Sequence, residues 1–150
     1  MSERNVEVVR ALLGPFQGIN VAEIDWDAEP IRVLLAASLS PEIEVRTLDS
    51  GVGTGVDPVY NGVDGVVRYL QDWIAPFGEY FTEWGDFIDH GDFVLIPVRN
   101  WGVGSGSGAR VEIELVYACE VRDGLITRIH QYDTLEDAER ALGSESVEDS

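Results

Sequence analysis

The chain has no lysine, a single cysteine and no long apolar run. Because lysine is absent, chemistry that needs a lysine Schiff base is excluded. Cys119 alone cannot form an intramolecular disulfide, and residues 1 to 20 lack a signal-type apolar core, so we expect a cytoplasmic protein. No stretch approaches the roughly 18 apolar residues of a membrane span, so no membrane-spanning segment is expected.

Positive charge is also scarce. The 150 residues include 28 acidic side chains and 10 basic ones, all arginine, which gives a net charge of -18. Such a chain repels phosphate backbones and anionic lipid surfaces, so neither nucleic acid nor a membrane is an expected partner. Its two histidines, His90 in a tight turn and His130 on a polar strand face, do not make a metal site. No cofactor is predicted.

Apolar residues at helical spacing predict three helices before residue 76. The first stops or kinks at Gly14-Pro15, the second begins near Pro30, and the third ends before Pro76. Thr134 is predicted to cap a last helix that Gly143 ends. We therefore predict one domain over residues 1–143, followed by a disordered acidic tail over residues 144–150.

Alternating and apolar segments predict five strands. They are Ile43 to Asp49, Tyr80 to Ile88, Phe93 to Val103, Ala109 to Arg122 and Leu125 to Tyr132. An apolar stripe on the outer face of the predicted sheet is predicted to make a homodimer, since such a stripe on a monomer favours association. Its members are Val94, Ile96, Val98, Val116 and Ala118.

The last two strands form a hairpin at Asp123-Gly124, and its register decides which side chains share a face. A two-residue turn would pair Tyr117 with His130, whereas a turn with a glycine bulge would pair Tyr117 with Ile129. The second register separates apolar from polar residues and is preferred. It places Ile113, Leu115, Tyr117, Cys119, Val121, Leu125, Ile129 and Gln131 on one face.

Several short motifs occur in a recognisable order: Pro58-Val59-Tyr60-Asn61-Gly62-Val63-Asp64-Gly65, Asp72-Trp73, Ile88-Asp89-His90-Gly91-Asp92 and Arg122-Asp123-Gly124-Leu125-Ile126. With the ending Tyr132 to Gly143, the chain resembles the SnoaL-like branch of the nuclear transport factor 2-like superfamily. The resemblance implies an α+β fold, in which a cone-shaped curved mixed β-sheet is wrapped around N-terminal helices as a cystatin-like α+β barrel.

The same resemblance implies that the inward strand faces form the wall of a pocket. Its expected ligand-binding residues are Val45, Thr47, Trp101, Cys119, Ile129 and Gln131. Three further residues are its catalytic candidates. Asp49 matches the general base of ketosteroid isomerases, Tyr117 lies near their oxyanion donor, and Arg99 could steady a developing negative charge. Alternatively, Asp49 is a turn residue and Tyr117 a satisfied core tyrosine.

Against each enzyme pattern in the superfamily, the catalytic set is incomplete. Leu12 or Leu13 stands where the isomerases have a tyrosine, and Trp101 and Gln131 stand where epoxide hydrolases have carboxylates. Asp133 is the nearest candidate for a cyclase aspartate. We therefore predict a protein that binds a small apolar molecule, with Trp101 fluorescence as a reporter. The alternative is an isomerase, cyclase or lyase that uses Asp49 as general base on an apolar ring-containing substrate.

Overall fold

The computed structural model describes residues 2–47 and 58–149, with side chains within 4–47 and 58–143. These residues form four α-helices and seven strands. The helices are α1 (Ser2–Leu13), α2 (Glu29–Ser38), α3 (Gly62–Ile74) and α4 (Leu135–Asp149). The strands are β1 (Leu39–Arg46), β2 (Val59–Asn61), β3 (Phe77–Trp84), β4 (Ile88–His90), β5 (Phe93–Gly104), β6 (Arg110–Arg122) and β7 (Leu125–Tyr132).

The sheet is mixed and has the strand order β2-β1-β7-β6-β5-β3, with β4 paired to β5. Strands β1 and β7 run parallel, and the other neighbours are antiparallel. The first three helices pack with the inner face of this sheet in one large apolar core. This is the predicted α+β cone, and the fold expectation is confirmed.

The segment predicted as one strand from Tyr80 to Ile88 is two strands, β3 and β4. The break occurs at Gly85, whose backbone N–H donates to the carbonyl oxygen of Pro97 at 2.7 Å. A Cβ at Gly85 would lie 3.1 Å from that oxygen, so the close approach favours glycine. The chain therefore leaves β5 here and returns to it as β4.

The hairpin between β6 and β7 has neither of the two predicted registers. Asp123 and Gly124 both have positive φ, 53° and 78°, as a two-residue type I′ turn requires. A bulge after Glu120 then leaves Thr127 unpaired in the ladder, and Tyr117 pairs with Gln131. The Thr127 hydroxyl donates to the Glu120 carboxylate at 2.6 Å.

This bulge changes which side chains of β7 face inward. Ile129 and Gln131 keep the predicted inward face, since they oppose Cys119 and Tyr117. Beyond the bulge, Ile126 takes the inward position that the sequence predicted for Leu125, and it is fully buried. The hairpin thus contributes Ile126 and Ile129 to the inner wall.

Strand β5 has the opposite orientation to the predicted one. Val94, Ile96 and Val98 pair with the inward residues of β6 and therefore face inward. The predicted outer stripe loses these three members. Its other two, Val116 and Ala118, do lie on the outer face but are buried in a second apolar cluster. That cluster also contains Leu95 of β5 with Ala138 and Leu142 of α4, so α4 covers this part of the sheet.

Helix α4 begins as predicted and ends later than predicted. The Thr134 hydroxyl accepts a hydrogen bond from the Asp137 N–H at 3.1 Å, which confirms the cap. The helix continues past Gly143 to Asp149, because Gly143 does not adopt the left-handed φ of a helix-ending glycine. A domain boundary at residue 143, with an acidic tail after it, stays a prediction.

Candidate functional site

An apolar cavity of about 110 Å³ lies between the inner sheet face and the first three helices. Its wall combines residues of α1, α2 and α3 with residues of β1, β3, β5, β6 and β7. The packing of the cone around its helices leaves this space at the centre of the core. It is the candidate site for a small molecule, since ligand sites are concave and mostly apolar.

Four of the predicted site residues line this cavity: Val45, Tyr117, Cys119 and Ile129. Gln131 is buried directly behind the wall, where its amide nitrogen donates to the Tyr69 hydroxyl at 2.6 Å. Thr47 is half-buried just beyond β1 and does not line the cavity; its backbone N–H donates to the Pro58 carbonyl at 3.0 Å. A ligand-binding role for these residues stays a prediction.

The prediction that Arg99 and Trp101 face the pocket is wrong. Both lie on the outer face of β5, because the inward positions of this strand are Val98 and Asn100. The Arg99 side chain is 59% exposed and forms an ion pair with Glu112 at 3.1 Å. Trp101 stacks on Phe81 with a centroid distance of 5.5 Å. Neither side chain can steady charge inside the cavity.

The two carboxylates considered as acid or base are not found in the described wall. Asp49 lies outside the described residues, so its role as a general base stays a prediction. Asp133 is exposed beyond the end of β7 and does not line the cavity. Among the described lining residues there is no Asp, Glu, His or Arg. The part of the wall that the structure describes therefore offers no carboxylate or imidazole base.

Aromatic residues outside the strands supply part of the cavity wall and were not among the predicted site residues. Tyr69 and Trp73 of α3 line the cavity with Val66 and Leu70. Their spacing of i, i+3, i+4 and i+7 is the signal that marks one helix face, so this part was readable. Trp26 lies in the irregular chain before α2, where no periodicity marks a buried position.

Most polar groups around the cavity have partners within the protein. The Tyr69 and Tyr117 hydroxyl oxygens are 3.4 Å apart, and the Trp73 indole N–H donates to the Tyr80 hydroxyl at 2.6 Å. The Asn100 side chain accepts from the Thr82 hydroxyl at 2.9 Å and donates to the Ile113 carbonyl at 3.3 Å. These bonds compensate for the burial of polar atoms beside an apolar space.

The titratable groups in the described wall are neutral at pH 7. Burial raises the pKa of Tyr69 well above its ordinary value of 10.0, and the neighbouring Tyr117 raises it further. Burial also raises the pKa of Tyr117 and of Tyr80. It raises the pKa of the Cys119 thiol to about 12, so this residue is not a nucleophile near neutral pH.

Trp26 is the exception among the buried polar groups. It lines the cavity, is only 6% exposed and packs on Phe16 at a centroid distance of 5.3 Å. Its indole Nε1 is buried and has no hydrogen-bond partner, the one such side-chain atom in the described part of the chain. A buried polar group without a partner costs about 1–3 kcal/mol. The Trp84 indole N–H, by contrast, donates to the Leu13 carbonyl at 2.8 Å.

Neither a metal site nor a membrane-spanning helix occurs within the described ranges. No group of three or more His, Cys, Asp or Glu residues there is placed to hold a metal ion. No helix among these residues is both long enough and apolar enough to span a bilayer.

Solved structures with the same architecture are numerous. TerC, crystallised with polyporic acid, is 20% identical over 91% of this chain and 96% of its own, with a TM-score of 0.67. A protein of unknown function from Burkholderia pseudomallei, described as NTF2-like, is 14% identical over 91% and 95%, with a TM-score of 0.68. A putative SnoaL-like polyketide cyclase from Jannaschia is 17% identical over 91% and 90%, with a TM-score of 0.67.

At these identities the likeness establishes the fold alone. The comparison with curated protein sequences found no significant match. The model of the SnoaL-like domain matches residues 21–129, which is most of the chain and includes α2, α3 and strands β1 to β6. The chain therefore belongs to the SnoaL-like family, on the nuclear transport factor 2-like fold that its motifs predicted.

Proposed function

We propose that this protein binds a small, neutral, largely apolar molecule in the central cavity and does not transform it. The observation that carries the proposal is the neutral, apolar wall around a space of about 110 Å³. An apolar protein cavity of roughly 150 Å³ is known to hold benzene. The space described here therefore suits a molecule with one ring.

The absence of charge in the described wall narrows the ligand class. A buried carboxylate or ammonium group needs a counter-charge or several hydrogen bonds to offset the loss of its hydration. No Arg, His, Asp or Glu lines the described cavity, and the chain has no lysine. An uncharged ligand is consequently favoured over an organic acid or amine of the same size.

The alternative is an isomerase, cyclase or lyase that uses Asp49 as general base. One observation favours it: the Tyr69 and Tyr117 hydroxyls lie 3.4 Å apart at the cavity, where a pair of donors could face a developing oxyanion. Asp49→Asn distinguishes the two functions. If the protein is an enzyme, the variant keeps binding and loses turnover; in the preferred case there is no turnover to lose.

Tryptophan fluorescence is expected to report ligand binding from inside the cavity. Trp26, Trp73 and Trp84 line it, whereas Trp101 lies on the outer face. Titration with toluene should therefore change the emission in a saturable way. Trp101→Phe should leave that change intact, in contrast to what the sequence predicted.

A pair of Val→Phe variants tests whether the signal comes from the cavity. Val45→Phe adds a ring to the wall and should weaken toluene binding at least tenfold, because it occupies the space. Val111→Phe makes the same change at a side chain that is 39% exposed and should leave binding unaltered. The proposed function fails if toluene has no saturable effect, or if Val45→Phe binds it as the wild type does.

The homodimer and the cytoplasmic location stay predictions. For the dimer, support now comes from the outer face that α4 leaves open, where Phe81 and Trp101 stack outside the cluster under that helix. Sedimentation at micromolar concentration should give a species of twice the 16.5 kDa chain mass. Trp101→Glu, which adds charge at this patch, should give the single chain. A wild-type protein that sediments only as one chain would refute the dimer.

A further inference from the structure

We infer that ligands enter and leave the central cavity past the Trp84 side chain, which closes the cavity toward the surface. The ring opens this path by rotating into a surface groove beside α1. The inference rests on the proposed function, because it concerns access to the same cavity. It adds the residue that controls how fast the cavity fills and empties.

Trp84 is shared between the cavity and the surface. It lines the central cavity, and it also lines the α1 groove, a surface space of about 380 Å³. The other residues of the α1 groove are Arg10, Gly14, Gln17, Gly85, Asp86 and Phe87. A second groove of about 520 Å³, near the start of α4, has Trp84 in its wall as well. Among the described residues, no other lining residue of the cavity lines either groove, so the three spaces meet at Trp84.

The exposure of side chains along β3 indicates the same place. Tyr80, Thr82 and Trp84 line the cavity from alternate positions of this strand. Tyr80 is 2% exposed and Thr82 is 6% exposed, whereas Trp84 is half-buried. The strand ends at Trp84, and the next residue, Gly85, already belongs to the α1 groove. The inner face of β3 therefore reaches the surface at Trp84.

The backbone around Trp84 is held firmly, while its ring is held by one hydrogen bond. The Trp84 backbone N–H donates to the Gln17 side chain at 2.9 Å, and the Gly85 N–H donates to the Pro97 carbonyl at 2.7 Å. The indole N–H donates to the Leu13 carbonyl at 2.8 Å. Rotation of the ring breaks only this last bond and leaves the strand in place. Side-chain rotations are faster than backbone rearrangements, so this is an accessible motion.

The α1 groove has room for the displaced ring and groups that suit it. Gly14 and Gly85 add no side chain to its wall, and a Cβ at Gly14 would meet no heavy atom within 4 Å. Phe87 offers an aromatic ring, with the Arg10 guanidinium carbon 5.0 Å from its centroid. An indole packs favourably against both groups. The open position therefore replaces part of the contact that the ring loses at the cavity.

The exchange of toluene between its free and bound forms, measured by nuclear magnetic resonance, gives both rate constants. Trp84→Phe keeps an aromatic wall but removes the bond to Leu13. Both rate constants should rise by roughly fivefold to tenfold, the effect of one hydrogen bond on a barrier. Trp73→Phe makes the same substitution in a cavity residue that lies outside both grooves, and its N–H is bonded to Tyr80. It should change the dissociation rate constant alone.

Asp86→Phe tests the path from outside the cavity. Asp86 is exposed and lines the α1 groove but not the cavity, so a ring there occupies the space into which Trp84 rotates. Both rate constants should fall by the same factor, about threefold or more, while Kd stays unchanged because the new ring touches no bound ligand. Asp92→Phe is the matched control at an exposed residue outside the groove and should leave both rate constants as in the wild type.

Parallel changes in the two rate constants support the inference, because a residue that only shapes the bound site alters Kd. The inference is overturned if toluene binds and Asp86→Phe leaves both rate constants unchanged, or if Trp84→Phe changes only the dissociation rate constant. The proposed function then stands. If toluene does not bind to the wild-type protein, both are overturned.

Discussion

Gly102→Ala is expected to destabilise the protein by about 1–3 kcal/mol, the usual cost of overpacking a close-packed core. A Cβ at this position would lie 2.6 Å from the Phe77 ring and 2.9 Å from the Tyr80 ring. Both rings belong to β3, the neighbour of the Gly102 strand, and they pack against each other with centroids 4.9 Å apart. The Tyr80 ring cannot move freely, because its hydroxyl is hydrogen-bonded to Trp73 at the cavity. Thermal unfolding should show a fall of several degrees in melting temperature.

Gly106→Ala provides the control for this substitution. No heavy atom lies within 4 Å of a Cβ built at Gly106, and its φ is not left-handed. This variant should remain within about 0.5 kcal/mol of the wild type. Equal melting temperatures for the two variants would show that the rings yield without cost. Gly102→Ala should also weaken toluene binding, because it displaces the cavity residue Tyr80.

Raising the pH from 8 to 10.5 is expected to lower the free energy of unfolding by several kcal/mol. Burial raises the pKa of Tyr69, Tyr80, Tyr117 and Cys119 in the folded state. In the unfolded chain these groups ionise near their ordinary pKa of 10.0 for tyrosine and 9.0 for cysteine. Above those values the unfolded state binds fewer protons than the folded state, so stability falls as the pH rises. Well below pH 9 this contribution is fully present.

Urea unfolding at the two pH values measures this effect. Each buried tyrosine that stays protonated should account for roughly 1 kcal/mol of the loss at pH 10.5. Tyr117→Phe removes one such group, so its loss between the two pH values should be smaller by about that amount. An identical loss in the wild type and in Tyr117→Phe would mean that Tyr117 ionises in the folded protein. Binding of an uncharged ligand should not change between pH 6 and 8, since none of these four groups titrates there.

The parts of the fold that were readable from sequence are those where one strand face is polar and the other apolar. On β6, Glu112 and Glu114 alternate with Ile113 and Leu115, and this alternation correctly placed Tyr117 and Cys119 on the inner face. Charged residues are costly to bury, so the pattern permits only one orientation. The shared motifs predicted the family and the α+β fold, which the comparisons confirm.

Strand β5 was misread because both of its faces are buried. Its stretch from residue 94 to residue 98 is apolar throughout, with Leu95 under α4 and Ile96 toward the core. Period-two alternation carries no register information in such a strand. The usable signal was the charge of Arg99, which belongs on the face that carries Glu112 on the neighbouring strand. Trp26 gave no signal at all, since its burial depends on tertiary packing.

The parallel pairing of β1 with β7 determines when the protein can complete its fold during synthesis. Val45 pairs with Ile129, and the two are separated by 84 positions (129 - 45). A ribosome releases the N-terminal part first, so β1 must wait for almost the whole chain before its parallel neighbour exists. Contacts so distant in sequence close slowly. A nascent chain that stops before β7 exposes one edge of β1 and lacks part of the cavity wall. It is therefore the species most exposed to aggregation and the one most in need of a chaperone.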